Sequence, residues 1–129
     1  STLVASHSAK CLQFEAARHD NGAALVQRDC DGVPDQDWCL LPLGDHYQIV
    51  SRDTNKCLDV SGGDPADGAP IVQWDCHGGD NQLWRFVPAG DQYQVVSKLS
   101  DTCLDVAWGD LADGAPVVQW MTSPCVAMS

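Results

Sequence analysis

Positive charge is scarce in this chain. Seven lysines and arginines stand against 18 aspartates and glutamates, a formal net charge of −11 over 129 residues. A field of that sign repels phosphate backbones and anionic lipid surfaces, so nucleic acid and acidic membranes are poor partners. Long apolar runs are missing as well. Without a transmembrane run, membrane insertion is not expected, and with no targeting segment in view an exported chain would have lost its leader or taken it from a larger precursor. No stretch shows a convincing helical period. Catalytic signatures are absent too. His7, His19, His46 and His77 fall in different loops without HExxH spacing, and there is no CxxC pair, nucleophile elbow or phosphate loop. That leaves no metal site, no cofactor and no catalytic residues to name. Counting carboxylates leaves a paired-acid glycosidase open, but none sits in a context repeated for that purpose, and the expectation is that the chain is not an enzyme.

What the sequence does have is repetition. TNKCLDVSGGDPADGAPIVQWDC returns one period later as SDTCLDVAWGDLADGAPVVQW, and more faintly one period earlier as SAKCLQFEAARHDNGAALVQRDC. Cys11, Cys57 and Cys103 are spaced by 46 residues, as are Gly22, Gly68 and Gly114, and Trp38 and Trp84. The copies 1–46, 47–92 and 93–129 therefore align without a gap. Three full periods would need 138 residues, so the third copy is short. Two expectations stay open: the chain is a piece of a larger protein, or residues 123–128 form an irregular closing strand.

Within the middle copy, residues 47–50, 57–60, 70–74 and 83–87 are short apolar bursts rich in β-branched and aromatic types. Turn residues separate them, with Asn21-Gly22, Asp67-Gly68 and Asp113-Gly114 marking one turn in each copy. Four strands in each of three copies predict an all-β domain with pseudo-threefold symmetry, closed into a barrel that hides its edges. The CLDV segment, the DG turn, the VQW(D)C segment and the closing QxW (Gln36-Asp37-Trp38, Gln82-Leu83-Trp84) resemble the ricin B-chain-like lectin family over the whole chain. The resemblance implies a β-trefoil, with Trp38 and Trp84 packed in its core.

Seven cysteines suit a loop-rich domain of this size. Cys11 with Cys30 and Cys57 with Cys76 have identical spacing, and each closed loop contributes roughly 3 kcal/mol. Disulfides point to secretion into an extracellular compartment. Cys103 with Cys125 is the preferred third pair; Cys39 with Cys125 competes and would strand Cys103. On the preferred pairing Cys39 is left over on a strand whose neighbours Trp38 and Leu40 face inward. Its thiol is then expected to face outward, available for a covalent partner or a dimer.

If Cys57 and Cys76 face one another across a hairpin, Asp59 faces Trp74 near the surface, while Leu58 and Val60 point to the core. A carboxylate beside an indole suits a sugar: the ring covers the C–H face of a pyranose, and the carboxylate accepts from neighbouring hydroxyls. In the resembling family the sugar pocket is formed at positions that here are Asp59, Trp74 and Asn81. Gln82 would buttress Asp59, and His77 stands at the rim. The third copy keeps Asp105 and Trp120 but has Ala127 and Met128 in place of Asn81 and Gln82, which predicts a weaker second site. The first copy, with Gln13 opposite Arg28 and Asp35 before Gln36, is expected to be dead. Trp108 aligns with Gly62 and is either a loop-packing residue or an extra contact at the third site. The resemblance implies glycan binding, with terminal galactose or N-acetylgalactosamine preferred. A xylan- or other plant polysaccharide-binding module of a larger enzyme is the alternative, and a protein-interaction trefoil is the competing class.

Overall fold

The computed structural model describes residues 1–15 and 20–121. There the apolar bursts form eleven strands: β1 (Val4–Ala5), β2 (Lys10–Phe14), β3 (Leu25–Arg28), β4 (Trp38–Leu43), β5 (His46–Ser51), β6 (Cys57–Val60), β7 (Ile71–Trp74), β8 (Trp84–Ala89), β9 (Gln92–Ser97), β10 (Cys103–Val106) and β11 (Val117–Trp120). The four strands expected in the middle copy are β5 to β8. Short 3-10 turns, Pro34–Gln36, Ser61–Gly63, Asp80–Gln82 and Ala107–Gly109, are the helical elements among the described residues. The expected closing segment 123–128 and Cys125 lie outside them.

The long strands β4–β5 and β8–β9 pair antiparallel across two-residue loops, Gly44-Asp45 and Gly90-Asp91. In each loop the glycine takes the positive φ that a tight hairpin of matching twist requires. β5 also pairs with β8, and the backbones of Ser1 and Trp38 bond one another, so the long strands wrap into a nearly closed barrel. Between them run three equivalent hairpins, β2–β3, β6–β7 and β10–β11. This is the expected β-trefoil.

The core repeats with the period of the sequence. Leu12, Leu58 and Leu104 form one fully buried set, and Leu25, Ile71 and Val117 another, with Trp38 and Trp84 filling the centre. Each indole N–H donates to a backbone carbonyl, Trp38 to Leu12 at 3.1 Å and Trp84 to Leu58 at 3.2 Å. A buried indole needs such a partner, so these two rings are committed to the interior.

The hairpins lock into one another around a ring. The N–H of Gly22 donates to the Gln73 carbonyl, that of Gly68 to Gln119, and that of Gly114 to Gln27, at 2.7–2.8 Å. Gln73, Gln119 and Gln27 return backbone bonds to Ala23, Ala69 and Ala115. The turn residues Asn21, Asp67 and Asp113 reach past their own loops as well, each accepting from a backbone N–H of the next hairpin, at Asp75, Met121 and Asp29. Their role is wider than turn formation: they fasten neighbouring copies.

The disulfides Cys11–Cys30 and Cys57–Cys76 form as expected, with Cα atoms 5.0 and 5.2 Å apart. Cys103 is disulfide-bonded, and Cys39 is the free cysteine among the described residues. Pairing of Cys39 with Cys125 is thereby ruled out. Cys39 is half-buried on β4, opposite Val50.

Candidate functional site

Asp59 and Trp74 do share a face of the middle hairpin, but not as directly opposed neighbours. The ladder pairs Cys57 with Trp74 and Asp59 with Val72, and in the same way Cys11 with Arg28 and Cys103 with Trp120. The expectation took the disulfide partners as opposite one another. Instead β7 ends at Trp74, and the chain beyond it bends so that Cys76 reaches Cys57 from outside the ladder. The register is shifted by two residues. A one-residue slip would turn every side chain over; a two-residue slip keeps the face. Asp59 and Trp74 are thus diagonal neighbours, a relation that spans about 7–8 Å between Cα atoms and remains within reach of an indole.

Burial departs further from expectation. Asp59 is only 3% exposed, whereas Trp74 is 43% exposed. The carboxylate forms a floor and the indole stands open beside it. Leu58 and Val60 point to the core, as expected. Desolvation pushes the Asp59 carboxyl above the ordinary carboxylate range. The Gln82 hydrogen bond, the neighbouring His77 and the Asn81 hydrogen bond partly offset that shift.

The expected partners converge on this carboxylate. Asn81 Nδ2 donates to Oδ1 at 3.2 Å and also lies 3.3 Å from the Val60 carbonyl. Gln82 Nε2 donates to Oδ2 at 2.8 Å. Gln82 is itself fixed by donating to the Asp75 carbonyl at 2.9 Å and accepting from the His77 backbone N–H at 2.8 Å. The turn Asp80–Gln82 sets both amides in place. The His77 ring accepts the Gly79 N–H at Nδ1, which leaves its Nε2 proton facing Asp59 Oδ2 at 3.8 Å. Each carboxylate oxygen keeps lone-pair capacity beyond these bonds, so the floor can still accept from a ligand hydroxyl. Among the described residues, no group of three His, Cys, Asp or Glu side chains is placed to hold a metal ion. No helix there is long and apolar enough to cross a membrane.

A family model described as a ricin-type beta-trefoil lectin domain-like family matches residues 1–74 and 42–120. The chain belongs to the ricin-type β-trefoil lectin family. Among solved structures, this lectin-like domain is 39% identical to ThreeFoil, a designed three-fold symmetric protein. The two superpose with a TM-score of 0.95 over 98% of this chain and 94% of that one. It is 30% identical to part of 1,3Gal43A, an exo-beta-1,3-galactanase from Clostridium thermocellum, again with a TM-score of 0.95, covering 99% of this chain but 29% of the galactanase. The C-half of an earthworm R-type lectin, solved with GalNAc, shares the fold at 18% identity, with a TM-score of 0.77 over 99% of this chain and 94% of that one. No curated protein sequence matches the chain.

The other two copies of the lectin motif differ from the middle one in opposite ways. In the third, Asp105 is half-buried on β10, while Trp120 is 44% exposed and lies over Gly68. These residues line a cleft of about 430 Å³ together with Val118 and Trp108. The positions of Ala127 and Met128 are outside the described residues. In the first copy, Gln36 repeats the bonds of Gln82: it donates to Gln13 at 2.8 Å and to the Asp29 carbonyl at 2.9 Å, and accepts from the Asp31 N–H. The carboxylate there has changed sides. Gln13 occupies the position of Asp59 and donates to Asp35, which replaces Asn81, at 3.2 Å. Arg28 stands where Trp74 does, so the indole platform is lost.

The sequence reading missed one set of buried polar residues, Gln27, Gln73 and Gln119, all fully buried. Their side-chain amides donate to turn carbonyls: Gln27 to Asp110 and Ala112, Gln73 to Asp20, and Gln119 to Asp64 and Ala66. The signal was a glutamine recurring inside an apolar burst in all three copies, including the first, which lacks the site residues.

Proposed function

We propose that this domain binds carbohydrate without catalysis and without a metal, and that the middle copy takes a terminal galactose or N-acetylgalactosamine. The observation that carries this reading is a buried carboxylate, Asp59, held by Asn81 and Gln82 beside the open ring of Trp74. Asp59 accepts hydrogen bonds from two adjacent sugar hydroxyls, with the extra strength of a charged acceptor. Trp74 covers the C–H face of the ring, and Asn81, whose two amide protons go to Asp59 and the Val60 carbonyl, offers its side-chain oxygen to a sugar hydroxyl. Gln82 touches no sugar; it fixes the angle of the carboxylate. His77 closes the rim. Asp105 and Trp120 form a second site on the same plan. The galactose preference draws support from the GalNAc bound by the earthworm lectin and from the galactanase that contains a similar domain. The two disulfides suit an extracellular setting, and two shallow sites on one domain gain useful strength by engaging one glycan surface together.

The test is a glycan array that includes galactosides and xylo-oligosaccharides, run on the disulfide-intact protein and on Asp59→Asn and Asp105→Asn. Galactoside binding that falls sharply in the first variant is the expected result. Binding confined to xylo-oligosaccharides would replace the ligand, and no glycan binding by folded protein would overturn the reading in favour of a protein partner.

A further inference from the structure

Trp108 occupies a costly position. The same backbone position in the middle copy is Gly62, at φ +64°, and Trp108 keeps that left-handed conformation at φ +60°. Glycine adopts it freely, while a bulky side chain is strained there. A strained tryptophan usually repays its conformation by packing, but Trp108 is 96% exposed and gains almost nothing from the free fold. A ligand that covers the ring would supply the missing contact. Trp108 lines the same cleft as Asp105 and Trp120, which repeat the register of Asp59 and Trp74. The occupant therefore presents hydroxyls to a carboxylate and apolar C–H faces to two indoles.

Its length follows from exposure. A sugar seated on Trp120 and against Asp105 lies at the base of the cleft. An indole that is almost wholly in solvent stands at the lip, where that same sugar leaves most of it uncovered. The cleft is half open to solvent, and its volume of about 430 Å³ lies within the roughly 300–1,000 Å³ range of ligand-binding clefts. We propose that the third copy is a site for an extended glycan, at least two linked sugar residues, with Trp120 holding one and Trp108 the next. The middle copy, with Gly62 in place of Trp108, reads a single terminal sugar. The third copy is thereby the chain-length sensor of the domain. This inference rests on the glycan-binding reading and makes Trp108 its specificity residue.

The test restores the glycine of the repeat. Trp108→Gly removes strain and buries no new group, so its thermal midpoint stays level or rises and loss of fold does not confuse the result. Mono-, di- and tetrasaccharides of the sugar that scores on the array are titrated by calorimetry into wild type, Asp59→Asn, Trp108→Gly and the double variant. Asp59→Asn, with only the third site left, is expected to bind the tetrasaccharide at least about tenfold more tightly than the monosaccharide. In the double variant that ratio collapses towards one. In Asp59→Asn, tetrasaccharide also shifts indole emission to shorter wavelength, and the shift is smaller in the double variant, where only Trp120 is left to be covered. If the length ratio survives the loss of Trp108, the inference falls while the lectin reading stands. If wild type binds none of these sugars, both fall together.

Discussion

The first and middle copies share a scaffold and differ in their pockets. Gln36 and Gln82 make the same three kinds of bond, Lys10 and Lys56 each pair with the aspartate before the second cysteine, and both disulfides close loops of the same length. Yet Asp59, Asn81 and Trp74 in one copy become Gln13, Asp35 and Arg28 in the other. Scaffold contacts are two-ended, so changing one side leaves a buried donor or acceptor unpaired at a cost of about 1–3 kcal/mol. On the proposed reading the pocket residues answer to a ligand as well, and the first copy keeps the same hairpin with all three exchanged. The first copy even shows how: carboxylate and amide trade places and still bond to each other, while Asp35 Oδ1 and Arg28 Nε are left buried without a partner.

The largest effect expected on this comparison comes from Asp59→Asn. Removing the charge while keeping the shape should weaken galactoside binding at the middle site by about 100-fold, measured by calorimetry, because two charge-assisted bonds are lost. Grafting the middle pocket onto the first copy, with Gln13→Asp, Arg28→Trp and Asp35→Asn together, should raise the number of sugar molecules bound per chain by one. Unchanged stoichiometry would show that the two copies differ in more than their pocket residues. Opening one crosslink with Cys57→Ala and Cys76→Ala tests the shared scaffold; unfolding in denaturant should show a loss of roughly 3 kcal/mol. A smaller effect follows from Gly68→Ala. The added Cβ would lie 3.3 Å from the Trp120 ring at φ +84°, and about 1 kcal/mol of strain should lower third-site affinity while leaving the middle site as it was.

The smallest effect is one of pH, and its two parts have opposite signs. Burial raises the Asp59 pKa in the folded chain, so the folded state keeps that proton to higher pH than the unfolded state does. This group's contribution to stability is complete below the ordinary carboxylate range and is lost as pH rises through its raised value. Sugar binding as proposed needs the ionised form and should strengthen over the same interval. Titration of galactoside affinity from neutral to acid pH should show the decline beginning above the ordinary aspartate range in wild type, and no such step in Asp59→Asn.

The 46-residue period made the architecture legible, because the DG turn and the CLDV- and VQW-type bursts were stated three times and the closing QxW burst twice. Trp38 and Trp84 could be placed in the core, and Asp59, Asn81, Gln82 and His77 could be brought to one place. The register was not legible. Cys76 sits past the end of β7, and spacing alone does not tell a cysteine in a ladder from one beyond it. The depth of Asp59 was hidden for a related reason: alternation predicts one wet face, but the turn Asp80–Gln82 folds over that face and covers it. Trp108 could be singled out as lacking a counterpart, while its strain depended on a backbone angle that composition does not reveal.

The ring of bonds among Gly22, Gly68 and Gly114 and their glutamine partners has a kinetic side. Gly114 meets Gln27 only when the last hairpin reaches the first, so the ring closes through contacts distant in sequence and folding is correspondingly slow. Once closed, no hairpin opens without breaking bonds to both of the others, and the three glycine amides should exchange their protons at one common rate, that of global opening. A sugar held at the middle copy, as proposed, would lower the population of that open state for the whole ring. It would therefore protect amides in the first and third copies, which it never touches.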